Sequence, residues 1–133
     1  MLALFLALQV CADSYHLRWL ARERHVPEAR YEAIAHVESA CNLDPLLRGH
    51  ACWRAHWHLR DCEVGRFQIK PSTGRARCRD LNIWTYKGNT ECAARTLRED
   101  AQRYGLTDAT IRHNGTGEPA LEYLRKVLRQ EEG

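Results

Sequence analysis

Apolar residues recur at helical spacing through most of this chain. From Ser14 to His25, Leu17, Leu20 and Ala21 share one face, with Asp13 or Ser14 placed to cap the helix start. Pro27 stands where a second helix would begin. That helix runs from about Glu28 to Cys41, with Tyr31, Ile34 and Ala35 facing inward. Asn42, Leu43, Asp44 and Pro45 read as its exit. From Arg48 to Arg77 the periodicity weakens, and Gly49, Gly65, Pro71 and Gly74 punctuate it. This stretch reads as loop, with a short strand-like or turn region around Arg66 to Ile69 and a short helix after Pro71. Helical spacing returns from Glu91 to Tyr104 through Ala93, Leu97, Ala101 and Tyr104, and Gly105 is suited to end that helix. A short helix is expected around Asp108 to His113. A last one spans Pro119 to Leu128, with Leu121, Leu124, Val127 and Leu128 inward. No long strand alternation appears, so the expected fold class is mainly α with little or no β-structure.

The chain has 133 residues, enough for one compact domain. Lys and Arg number 20 against 17 Asp and Glu, a net charge of +3. That excess is too small to indicate a nucleic-acid binder, and no nucleic-acid partner is expected. Arg22, Arg24, Arg95, Arg98 and Arg103 read as a solvated face. The apolar run Leu2 to Val10 is too short to span a bilayer, which needs roughly 20 residues. Its length suits the core of a signal peptide, so residues 1–12 are expected to be a cleaved leader, with the cut ahead of Asp13, and residues 13–133 the working domain. No stable membrane span is expected.

Glu38 is the most informative position. It lies four residues after Ile34 and seven after Tyr31, so it falls on the face that carries the core side chains. A carboxylate seldom goes there without a partner or a task. Partial burial disfavours its charged form, which is what a general acid at neutral pH requires. The plainer alternative is a helix-edge Glu paired to an Arg.

Around it, Ile34-Ala35-His36-Val37-Glu38-Ser39-Ala40-Cys41-Asn42-Leu43-Asp44-Pro45 resembles the catalytic helix end of the soluble lytic transglycosylases, roughly I-x-x-V-E-S-x-x-N-P. Gly65-Arg66-Phe67-Gln68-Ile69-Lys70-Pro71-Ser72-Thr73 is similar to that family's G-L-M-Q-I-x-P-x-T segment. Asn89 precedes a helix ending in Tyr104-Gly105. Ile111-Arg112-His113-Asn114-Gly115-Thr116-Gly117 stands where the family has A-x-Y-N-A-G, and Tyr123 with Val127 resembles its Y-x-x-x-V pattern. Arg66 stands in place of Leu, Phe67 in place of Met, and His113 in place of Tyr.

The resemblance implies a lysozyme-like α domain of the goose-type lysozyme kind, with a groove for peptidoglycan glycan strands. It implies Glu38 as the sole acid and base, cleaving between N-acetylmuramic acid and N-acetylglucosamine to leave a 1,6-anhydro end. Ser39 would orient the substrate or the carboxylate. Phe67, Gln68, His113, Asn114 and Tyr123 would contact the sugar. No cofactor or metal is implied. The expected setting is an exported monomer, periplasmic, extracellular or virion-associated, serving a secretion system, a pilus or a phage assembly. A water-using muramidase and a catalytically inactive wall-binding or virion subunit are the alternatives.

Other residues carry weaker signals. Glu63 or Asp61 would supply the second carboxylate of a hydrolase, although a solvated side chain or an Arg partner is the more economical reading. His50, Cys52, His56, His58 and Cys62 are chemically able to hold zinc, but their spacing fits no common site, and a Cys52–Cys62 disulfide is favoured. Cys78 and Cys92 are the better disulfide pair. They would close a loop of about 15 residues, worth about 3 kcal/mol by chain entropy. Cys11 leaves with the leader, so Cys41 is expected to be a buried thiol; if Cys11 is retained, the two form the competing third pair. Trp53, Trp57 and Trp84 are candidates to stack on sugar rings, each more often a packing residue.

Overall fold

The computed structural model describes residues 10–49, 61–114 and 119–133. Its elements, in chain order, are α1 (Ser14–Glu23), α2 (Glu28–Ser39), α3 (Pro71–Arg77), α4 (Tyr86–Tyr104), α5 (Leu106–Arg112) and α6 (Ala120–Glu132). The fold is mainly helical, and no strand occurs among the described residues. The region around Arg66 to Ile69, expected as strand-like or turn, is a tight turn. Val64 and Ile69 exchange both backbone hydrogen bonds, at 3.0 and 3.1 Å, while Gly65 and Gln68 turn the chain with φ of 79° and 49°. Val64 also bridges to Arg48.

The apolar stripes read from the sequence meet in one core. Leu17, Leu20 and Ala21 of α1 pack with Tyr31, Ile34 and Ala35 of α2, with Ala93, Ala94 and Leu97 of α4, and with Tyr123 and Val127 of α6. Helix α2 lies centrally, against α1 on one side and α6 on the other. Its Tyr31 is fully buried, donates to the Thr90 carbonyl at 2.6 Å and packs against the Phe67 ring. Arg30, from the same helix, reaches Glu131 of α6 and Thr110 of α5, which fastens three helices together.

Three helix expectations are corrected. Helix α4 begins at Tyr86 rather than Glu91, because the Thr85 hydroxyl accepts from the Gly88 amide at 3.0 Å and caps an earlier start. Helix α2 stops at Ser39 rather than Cys41, because Ala40 turns to φ 52°. Helix α6 is rotated from its expected face. Leu121 and Leu128 are exposed at 66% and 38%, whereas Tyr123 and Val127 are buried. Tyr104 is likewise partly exposed at the end of α4.

Two disulfides lie wholly within the described residues. Cys78–Cys92 is the expected pair, with both residues buried and ending α3 against α4. Cys11–Cys41 is the other, so Cys41 is an exposed, bonded cysteine and not a buried thiol. A cut ahead of Asp13 would remove Cys11 from this bridge. Cys62 is disulfide-bonded. Cys52, His50, His56, His58, Trp53 and Trp57 lie outside the described residues. No described helix is long and apolar enough to cross a membrane.

Candidate active site

Glu38 sits on the last turn of α2, and its side chain is 1% exposed. The Tyr123 hydroxyl donates to its Oε2 at 2.8 Å. This contact accounts for the rotation of α6: Tyr123 is inward because its ring fills the core and its hydroxyl meets the carboxylate. His113 Nε2 lies 3.7 Å from the same oxygen. The pair is not a salt bridge. Burial pushes the His113 pKa below its usual 6.5, against the pull of its hydrogen bond to Phe67 and of Asp100, so the ring is neutral. Its Nε2 instead lies 2.8 Å from the Phe67 carbonyl, which requires a proton on that nitrogen. The Phe67 ring meets the His113 ring edge to face, 5.9 Å between centroids.

The loop that presents Phe67 is held by Asn89 of α4. Its amide oxygen accepts from the Phe67 N–H at 2.9 Å, and its nitrogen donates to the carbonyls of Val64 and Ile83. Gly65 is required here: a Cβ would fall 2.6 Å from the Asn89 nitrogen, and the φ of +79° disfavours any side chain. Gln68 is 5% exposed. Its amide nitrogen donates to the carbonyls of Leu47 and Gly65, so half of its hydrogen-bonding capacity serves the loop itself.

Ser39 is held from beneath the site. Its hydroxyl accepts from Arg66 Nη1 at 2.6 Å and lies 2.7 Å from the Arg66 carbonyl, to which it donates. Arg66, 1% exposed, also donates to the carbonyls of Ala35 and Ala40 and pairs with Asp13 through Nε and Nη2. Tyr86 completes this network by donating to Asp13 at 2.7 Å. The network brackets the turn that carries Glu38. The helical pattern does not reveal it; the one signal is that Arg66 departs from the apolar residue of the resembled segment.

A cavity of about 200 Å3 borders His113, and Gln68, His113 and Asn114 contribute to its wall. Tyr123 and His113 therefore meet Glu38 directly, Phe67 backs His113, Ser39 follows Glu38 in the chain, and Gln68 and Asn114 border the adjoining cavity. Glu63 is a second carboxylate at 6% exposure, and together with the Gln68 amide oxygen it crowds Gly49. Asp61 is used structurally, accepting from the Ser72 amide and hydroxyl at 2.7 Å each at the start of α3. Trp84 is covered by the Arg48 guanidinium, 4.5 Å above its ring. Among the described residues, Cys11, His36 and Cys41 are close enough to share a metal ion, but the two sulfurs are bonded to each other. Comparison of this chain with protein-family models, with curated proteins and with solved structures finds no match.

Proposed function

We propose that this chain is a peptidoglycan lytic transglycosylase with a lysozyme-like domain and Glu38 as its single acid and base. The observation that carries the reading is the surroundings of Glu38. A sealed carboxyl on a helix end has a phenol on one oxygen, a neutral imidazole beside it and the Phe67 loop behind that imidazole. Those partners come from the separated segments whose order resembles the family.

The arrangement suits a carboxyl that must give a proton and take one back. Burial favours the protonated acid before reaction. A cation 3.7 Å away would oppose this, and His113 avoids it by staying neutral. Glu38 would protonate the glycosidic oxygen, the C1–O bond would break, and an oxocarbenium-like centre would form. The carboxylate left behind gains its stabilisation from the Tyr123 hydroxyl. It would then take the proton of the muramoyl C6 hydroxyl as that oxygen bonds to C1, closing the 1,6-anhydro ring without water. Ser39 acts on this chemistry through Arg66, as a positioning residue.

A water-using muramidase is the second reading, favoured by one observation: Glu63 is a buried carboxylate next to Gln68. Mass spectrometry of the released muropeptides separates the two, because anhydro ends are one water lighter than hydrolysed ends. The Glu38→Gln variant is expected to lose about 10²–10⁴-fold or more of wall-lysing activity while keeping its circular dichroism spectrum. Full activity in that variant refutes Glu38 as the acid, whereas no wall lysis by the unaltered protein refutes the enzymatic reading and leaves a wall-binding subunit. Export is inferred from the disulfides. Glycan strands are the proposed partner, and a secretion, pilus or phage assembly the proposed setting.

A further inference from the structure

The cavity bordered by His113 has no task in the chemistry at Glu38. It encloses about 200 Å3 between α3, α4 and α5. That is small for a disaccharide and sufficient for a carboxyl group on a short arm. Beyond the wall formed with Asn114, it is lined by Lys70, Arg77, Asp100 and Arg112, so three cations face one carboxylate.

Arg77 is already neutralised. It donates to both Asp100 oxygens at 3.0 Å and to Glu99 at 3.1 Å. Lys70 and Arg112 are exposed and have no ion pair among the described residues. Asp61 interacts electrostatically with Lys70, but both of its oxygens accept hydrogen bonds from Ser72. The Arg112 guanidinium lies over the Tyr104 ring at 3.7 Å. Stacking fixes its plane and keeps the N–H edge free for a bidentate acceptor. The cavity thus combines, among the described residues, an excess of positive charge with an oriented fork, one imidazole away from the proposed acid.

We propose that this cavity binds a carboxylate carried on the acidic arm of the glycan. The proposal rests on the reading of Glu38 as a wall-cutting acid. A neutral sugar ring needs no such charge. Muramic acid supplies it from the lactyl carboxylate when the arm is bare, or from an acidic peptide when the arm is substituted.

Three probes distinguish the sources in binding titrations followed by calorimetry: N-acetylmuramyl dipeptide, N-acetylmuramic acid and N-acetylglucosamine. At least one acid-bearing probe should bind about tenfold or more tightly than N-acetylglucosamine, the scale of one charge-assisted hydrogen bond, and the preference should weaken with salt. Tighter binding of the dipeptide assigns the cavity to the peptide carboxylate, tighter binding of N-acetylmuramic acid assigns it to the lactyl carboxylate, and equal binding of the two acids, both above N-acetylglucosamine, shows that the cavity takes either. The Lys70→Gln, Arg112→Gln double variant should lose the preference, and the Lys70→Arg, Arg112→Lys variant should recover part of it. Equal binding of all three probes, no binding of any, or an unchanged preference in the double variant overturns the proposal. Wall lysis by the unaltered protein is measured alongside. A protein that selects the acids but lyses no wall keeps the binding site and loses the enzymatic reading; the converse loses only the binding site.

Discussion

Replacing Arg66 with Leu tests how far the site depends on one buried ion pair. Arg66 and Asp13 have side chains 1% and 6% exposed, and the guanidinium meets both carboxylate oxygens at 2.9 and 3.2 Å. The same guanidinium satisfies Ala35, Ser39 and Ala40 at the end of α2. Removing one member of a buried pair leaves the other charge uncompensated, at a cost of about 3–5 kcal/mol. Leucine returns some apolar burial, so a loss of about 3 kcal/mol is expected. That is a large part of the roughly 5–15 kcal/mol that holds a domain together. Urea unfolding at neutral pH, followed by tryptophan fluorescence, measures it. Asp13→Asn removes the stranded charge, so the Arg66→Leu, Asp13→Asn double variant should be more stable than the sum of the single losses by about 2 kcal/mol. The pH dependence is a separate check. Burial raises the Asp13 pKa, but hydrogen bonds from Arg66 and Tyr86 and the Arg66 charge outweigh it and hold the group below 3.8. With the folded value depressed, this stabilisation is complete above 3.8 and is lost as pH falls through the folded value. Asp13→Asn should flatten that acid loss. An Arg66→Leu protein within about 1 kcal/mol of the parent, or single losses that simply add, would refute the reasoning.

Three further outcomes are expected. Tyr123→Phe takes a hydrogen-bond donor from the Glu38 carboxylate, so the rate of wall lysis should fall about tenfold while the circular dichroism spectrum is kept. His113 has a depressed pKa through burial, so its contribution to stability is full above 6.5 and falls as pH drops through the folded value; His113→Gln should remove that slope from melting curves. Gly65→Ala forces a Cβ onto Asn89 and should cost about 3 kcal/mol and most of the lysis, whereas Gly105→Ala, also at positive φ but in open space, should cost only about 1 kcal/mol.

The helices were legible because period-3.6 patterning is a burial signal: α1 and α2 bury the apolar residues it marks, and α4 buries Ala93 and Leu97 of its stripe. Glu38 was legible for the same reason, as a carboxylate on a core-facing stripe. Helix α6 was misread in part: Val127 is inward as expected, but Leu121, Leu124 and Leu128 draw the apparent stripe away from Tyr123. The winning face is chosen by one aromatic that both fills space and satisfies an acid, and hydropathy assigns no value to that hydrogen bond. The early start of α4 depends on a side-chain cap, and the end of α2 on one positive φ at Ala40, neither of which periodicity registers. Arg66 and Asp13 escaped because each alone reads as a surface charge. Only the long-range fold joins them, 53 positions apart.

That junction ties the start of the chain to the proposed acid. Cys11 is bonded to Cys41, and Asp13 reaches Ala35, Ser39 and Ala40 through Arg66. Glu38 lies between those anchor points on the same stretch of backbone. The two ties are independent in kind, one covalent and one electrostatic, and both act on the turn where α2 ends. A leader removed ahead of Asp13 would discard the first tie. It would also place a new ammonium on Asp13, where it competes with Arg66 for the same carboxylate. A leader removed ahead of Cys11 keeps both ties and sets the new charge outside the network. Cys11, which reads as the tail of a signal peptide, therefore belongs with Asp13 to the scaffold around Glu38.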